Sequence, residues 1–201
     1  MIKVKVCGLT RECDIEYANI VRPDFIGFVF APQSRRRVMP DQAACLRTKL
    51  GAGICVVGVF VNAPIDDIVD LLRGGVIAAV QLHGRENDDY IEALASRTNA
   101  PIIKAFKVTE RSDIESAQRT RANYPLLDNG EGGTGRSFDW TLAEPLARNY
   151  FLAGGLTPDN VLVAAARLHP YGIDMSSGVE TDGVKDFDKM KAVVERVRNF
   201  G

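Results

Sequence analysis

The sequence predicts an α/β chain folded as a single-domain (β/α)8 barrel, and three observations carry that expectation. Short apolar runs alternate with helix-period segments eight times along the 201 residues, with no long linker and no shift in composition between them. Alternating β and α units build parallel sheets with right-handed crossovers, and eight such units suit a closed barrel. Several of the runs, such as FIGFVF (25–30) and ICVVGVFV (54–61), are almost continuously apolar, as strands covered on both faces are. No GxGxxG follows the first strand, which argues against an open dinucleotide-binding sheet. At 201 residues and 46% hydrophobic, one domain over 1–201 has enough material for a full core.

The first strand is expected at 2–6, where apolar residues alternate with Lys3 and Lys5, ending at Cys7 and followed by a helix over about 11–21. After the strand at 25–30 comes a loop with Ser34-Arg35-Arg36-Arg37, and Asp41 is read as the N-cap of the next helix. The strand at 54–61 leads to a helix at 65–72, and a fourth strand at 76–82 to a helix at 87–97. Residues 102–106 form the fifth strand, with a polar helix at 111–121. The sixth, 124–127, opens into the glycine-rich stretch LLDNGEGGTGRSFDW (126–140), then a short helix at 141–148. The seventh strand, 150–153, stops at Gly154-Gly155, with Pro158 in the first turn of a helix running to Leu168. A short eighth strand, 173–175, ends in Ser176-Ser177-Gly178, and apolar residues at 187, 190, 193, 194 and 197 make the closing helix.

The formal net charge of -1 gives no electrostatic reason to expect nucleic acid or an acidic membrane as partner. No apolar window approaches the ~18 residues of a membrane span, and the N-terminus enters a strand pattern at once rather than a signal peptide's apolar region. A cytoplasmic protein is expected. Cys7, Cys13, Cys45 and Cys55 form no CxxC pair, and two histidines are too few for a metal cluster, so no metal site is expected. Cys13, Cys45 and Cys55 fall inside helix or strand patterns and are assigned to the core.

Chemistry in such a barrel belongs at the C-terminal ends of the strands. Cys7, Arg36, His83, Asp128, Gly154-Gly155 and Ser176-Ser177-Gly178 all fall there, so residues far apart in sequence converge on one mouth. The turns after strands seven and eight suit a phosphate, because glycine lets backbone N–H groups approach it and the serines add donors. In isolation they read as tight turns; in pairs at these two strands they read as a phosphate site. Asp128 in isolation starts a turn; at the mouth it is a candidate acid. Cys7, otherwise a packing residue, faces it as a candidate base. One guanidinium of the arginine run can clamp a carboxylate through two parallel hydrogen bonds. His169 lies at the opposite end of the barrel.

With these residues placed, the sequence closely resembles the phosphoribosylanthranilate isomerase family over essentially its whole length. The landmarks are VKVCGLT (4–10), GFVFAPQSRRRV (27–38), VGVFVN (57–62), VQLHG (80–84), LLDNGEGGTGRSFDW (126–140), LAGGLTPDNV (152–161) and GIDMSSGVE (172–180). The resemblance implies an Amadori rearrangement of N-(5'-phosphoribosyl)anthranilate in tryptophan biosynthesis, without a cofactor. It also implies roles. Cys7 matches the general base and Asp128 the general acid. Arg36, third in Ser34-x-Arg36-x-Val38, matches the arginine holding the anthranilate carboxylate. Asp174 matches an acidic residue near the sugar, His83 is grouped with it as substrate-binding, and Gly154, Gly155, Ser177 and Gly178 match the phosphate loops.

For that chemistry, Asp128 has to stay protonated at neutral pH, which partial burial under the 130–138 loop favours, and Cys7 has to ionise below the ordinary thiol value. The loop, anchored by Phe138 and Trp140, is expected to close over the site. The competing readings are a non-catalytic phosphosugar-binding barrel and a phosphoribosyl aldose–ketose isomerase of histidine biosynthesis. The latter enzymes use a carboxylate at the end of strand one, where this chain has Cys7. The expected partner is a small phosphosugar, and both monomer and homodimer are open.

Overall fold

The computed structural model describes residues 1–129, 139–143 and 146–200. Eight parallel strands close in chain order into a barrel: β1 (Lys3–Cys7), β2 (Phe25–Val29), β3 (Cys55–Phe60), β4 (Ala79–Leu82), β5 (Ile102–Lys107), β6 (Tyr124–Asp128), β7 (Phe151–Leu152) and β8 (Gly172–Met175). Closure is made by β1 against β8, with Lys5 opposite Asp174, and by β1 against β2, with Cys7 opposite Gly27. The outer layer is α1 (Glu12–Val21), α2 (Pro40–Thr48), α3 (Ile65–Arg73), α4 (Asp88–Ala95), α5 (Arg111–Arg119), α6 (Val161–Leu168) and α7 (Phe187–Arg198).

Two apolar cores follow from the alternation of side chains along each strand. Outward-facing residues such as Val6, Ile26, Val80 and Ile173 pack beneath helix residues such as Ile15, Ile68, Leu94 and Val194. Burying each of these aliphatic side chains stabilises the fold by about 1.5–3 kcal/mol. Inward-facing Val57, Ala79, Ile103, Leu126 and Phe151 fill the barrel interior. Phe25, Tyr124, Phe151 and Tyr171 close its N-terminal end by edge-on and stacked ring contacts, with Tyr124 and Tyr171 4.9 Å apart. The open end is therefore the C-terminal one.

Several local expectations are corrected. Among the described residues of the stretch expected as a helix over 141–148, none is α-helical: a 3-10 turn spans Trp140–Leu142. Among the described residues that follow, Arg148 instead donates to the Thr120 and Ala122 carbonyls, tying the segment to the end of α5. Pro158 precedes α6 rather than starting it. Asn160 accepts from the Thr157 amide and donates to the Gly155 carbonyl, which holds residues 155–160 as a turn before Val161. Asp41 is not the cap of α2. Met39 holds that position with Pro40 at the first helical residue, and Asp41 lies in the first turn, where its charge suits the helix dipole. Cys45 is exposed and Cys13 and Cys55 are only partly buried, so none of the three is a full core residue. The sequence reading also omits a hairpin after β8, β9 (Glu180–Thr181) and β10 (Val184–Lys185), whose two-residue strands are too short to show a period. No helix among the described residues is long and apolar enough to cross a membrane.

Candidate active site

A cavity of about 230 Å³ opens at the C-terminal end of the barrel, and every site residue singled out from the sequence lines it. Cys7 ends β1 and points inward with 8% of its surface exposed. Its thiol has room because β2 carries a glycine opposite it: a Cβ at Gly27 would lie 2.6 Å from Cys7 Sγ. The Gly27 carbonyl accepts from the Gly8 and Leu9 amides at 2.8 and 3.2 Å, which fixes the chain as it leaves β1. Val29 on β2 and Val59 on β3 share an apolar cluster with Cys7. This apolar enclosure corrects the expectation for the thiol. Burial pushes it above the ordinary cysteine value, while Lys5 and Lys185 pull it down and Asp174 adds to the rise.

Lys5 lies one side-chain period below Cys7 on the same strand face and is fully buried. Its ammonium donates to both carboxylate oxygens of Asp174 at 2.9 Å. Burial works against the Lys5 charge, yet Asp174 and Cys7 hold the lysine above its ordinary value. Asp174 thus enters the cavity wall already paired.

Arg36 is the arginine of the Arg35–Arg37 run that lines the cavity. Arg35 has a side chain 60% exposed, and Arg37 borders a separate groove between β2 and β3 on the outer side. Glu180 on the hairpin takes the side-on edge of Arg36, accepting from Nε at 2.6 Å and from a terminal nitrogen at 2.7 Å. The end-on edge of the guanidinium remains for a second carboxylate. Lys185 donates to the same Glu180 carboxylate at 2.5 Å and to the Ser176 carbonyl at 3.1 Å. Burial works against the Glu180 charge, but Arg36 and Lys185 hold it below the usual carboxylate value.

Asp128 ends β6 across the mouth from Cys7, 8% exposed. His83 Nε2 lies 3.4 Å from its Oδ2. The Gln81 amide nitrogen is 3.0 Å from His83 Nδ1, and in that orientation Nδ1 accepts and Nε2 carries the hydrogen toward Asp128. Gly154 closes in on the other side with φ +82°, where a Cβ would come within 2.7 Å of Asp128 Oδ1.

The turns after β7 and β8 meet each other. A Cβ on Gly178 would fall onto the Leu156 carbonyl, so only glycine allows the Ser177-Gly178 turn to close against Gly154-Gly155-Leu156. Gly155 also has a left-handed φ of +65°. Residues of both turns, Gly154-Gly155-Leu156 and Ser176-Ser177-Gly178, line the cavity. The cover expected over the site, residues 130–138 with Phe138, lies outside the described residues.

Sequence reasoning missed Lys5, Gly27, Gln81, Glu180 and Lys185. The period-2 alternation of β1 held a signal for Lys5, because a residue two before an inward cysteine is inward itself. Lys185 and Glu180 had none, since the hairpin that carries them has no pattern of its own.

Residues 4–196 match the family described as N-(5'phosphoribosyl)anthranilate (PRA) isomerase. The N-(5'-phosphoribosyl)anthranilate isomerase of Endomicrobium trichonymphae is 44% identical over 204 residues, covering 100% of both chains. The crystal structure of phosphoribosyl anthranilate isomerase from Thermus thermophilus superposes with a TM-score of 0.90 at 35% identity, covering 100% of each chain. A phosphoribosyl anthranilate isomerase solved in complex with reduced 1-(o-carboxyphenylamino)-1-deoxyribulose 5-phosphate gives 0.88 at 36% identity, covering 98% of this chain and 99% of that one.

Proposed function

Since the chain belongs to the N-(5'-phosphoribosyl)anthranilate isomerase family, we propose that it carries out that isomerisation, a step of tryptophan biosynthesis, with Cys7 as general base and Asp128 as general acid. The substrate is an aldosylamine and the product a 1-amino-1-deoxyketose, 1-(2-carboxyphenylamino)-1-deoxyribulose 5-phosphate. The observation that carries the assignment of roles is the convergence of Cys7, Asp128, Arg36 and the two glycine turns on one cavity.

Asp128 gives a proton to the ring oxygen as the C1–O bond breaks, and the nitrogen lone pair forms the iminium. The iminium acidifies the C2 proton. Cys7, as thiolate, takes that proton, and the C–H electron pair becomes the C1=C2 bond of an enolamine, which tautomerises to the ketose. The substrate supplies its own electron sink, so the step draws on no cofactor. The free edge of Arg36 takes the anthranilate carboxylate, the turns at Gly154-Gly155 and Ser177-Gly178 take the phosphate, and His83 and Asp174 flank the sugar. The chain acts as one domain, in the cytoplasm.

Loss of the substrate's anthranilate fluorescence on adding the purified chain tests this activity, and unchanged fluorescence would dismiss it. Arg36→Ala is expected to raise KM by about 10- to 100-fold with a smaller change in kcat, since a hydrogen bond to a charged group contributes about 1.5–3 kcal/mol. The same effect from Arg35→Ala or Arg37→Ala, with Arg36→Ala silent, would move the carboxylate site.

A further inference from the structure

The wall around Cys7 holds more cationic groups than the reaction uses. Lys5 on β1 and Lys185 on β10 are buried, and Arg36 in the loop after β2 is shielded, its side chain 14% exposed. Facing them are Asp174 on β8 and Glu180 on β9. Three enclosed cations therefore meet two carboxylates around an ionisable thiol. Arg35 also reaches Glu180, but it is largely solvated and its charge is screened. A buried cluster disfavours net charge, and this one comes closest to neutral when Cys7 carries a negative charge.

We propose that Lys5 and Lys185 are positioning residues for proton abstraction, cations enclosed with Cys7 that offset its burial and keep its thiolate accessible to the reaction. The proposal rests on the reading of Cys7 as the base. Lys5 donates to both Asp174 oxygens, and it stands on the inward face of β1 two residues before Cys7, which shares that face. Lys185 arrives from the hairpin side. It is anchored by Glu180 and the Ser176 carbonyl, and the Ser176 hydroxyl in turn donates to the Cys7 carbonyl at 3.1 Å. The hairpin thus has a definite task, carrying a second cation to the Ser176 turn that is bonded to Cys7, and the carboxylate that orients Arg36. Burial holds Lys185 below the ordinary lysine value, with Glu180 and Cys7 opposing that fall, whereas Asp174 and Cys7 hold Lys5 above it; neither lysine gives up a proton in the step. The sulfur gains the C2 proton, and the restored excess of positive charge favours its release for the next cycle.

Two profiles are to be measured against pH: the rate of Cys7 alkylation by iodoacetamide, located by peptide mass spectrometry to exclude Cys13, Cys45 and Cys55, and kcat. In Lys185→Gln and Lys5→Met, both profiles are expected to move together to higher pH by about one unit or more, the effect of losing a neighbouring opposite charge. Lys185→Arg, which keeps the charge, is expected to restore most of the Lys185→Gln shift. An alkylation profile unmoved in folded Lys185→Gln would overturn the proposal, whatever happens to activity. Should Lys5→Met fail to fold with Asp174 left unpaired, the Lys185 variants decide alone. A moved alkylation profile with an unmoved kcat profile would overturn the assignment of Cys7 as the base, on which the proposal rests.

Discussion

Asp128→Ala and Cys7→Ala are each expected to lower kcat by about 10²–10⁴-fold, the usual contribution of a positioned acid or base, while KM changes far less. The reason is spatial. Neither side chain is among the groups assigned to the carboxylate or the phosphate; the two line one cavity, Cys7 from the end of β1 and Asp128 from the end of β6. Removing one leaves Arg36 and both glycine turns in place, so substrate still binds. Steady-state kinetics by fluorescence loss separates the two parameters. A large rise in KM at unchanged kcat would make the pair binding groups, and full activity in both variants would dismiss them altogether.

Glu86→Ala is expected to destabilise the barrel by about 3–5 kcal/mol, the cost of removing one partner of a buried ion pair. Glu86 lies just before α4 and joins the ends of three strands. Its carboxylate accepts from the Asn62 amide at 2.6 Å, the Gly84 amide at 2.8 Å and Lys104 Nζ at 2.9 Å. Lys104 also donates to the Gly84 carbonyl at 2.7 Å. Truncation strands a lysine only 6% exposed and frees two backbone amides. Denaturant unfolding reads the loss, and a change within experimental scatter would mean the network is dispensable. Acid probes the same contact. Burial works against the Glu86 charge, but Lys104 and the amides hold it below the usual carboxylate value. Its stabilisation is therefore complete above the unfolded-state value and fades as pH falls through the lower folded one. The same sign holds for Glu180, so unfolding by acid should be blunted in Glu86→Gln and Glu180→Gln.

The barrel was legible because each strand announces itself by composition, and because the fold rule then puts chemistry at one end of every strand. Cys7, Asp128, Gly154 and Ser177 are neighbours only by virtue of that closure. What escaped the sequence is charge arranged in three dimensions. Lys5 looked like the polar half of an alternating strand, yet closure of β1 onto β8 turns it inward against Asp174. Glu180 belongs to the quoted GIDMSSGVE stretch, but nothing in that stretch says its carboxylate will bind Arg36 from 144 residues away. The expected lowering of the Cys7 thiol overlooked the valines around it, which make burial the largest influence. With the Cys7 thiolate as the proposed base, a thiol held up in this way makes activity rise with pH through its ionisation. The segment 141–148 misled because its composition suits a helix, whereas Arg148 serves the carbonyls at the end of α5.

The central claim is that this mouth isomerises N-(5'-phosphoribosyl)anthranilate through Cys7. A single-turnover experiment, with enzyme in excess over substrate and anthranilate fluorescence followed to completion, tests it without interference from product release. The wild-type chain is predicted to consume all the substrate at a rate that rises with pH, and Cys7→Ala to bind the substrate and leave its fluorescence standing. Decay at equal rates in the two proteins would contradict the account.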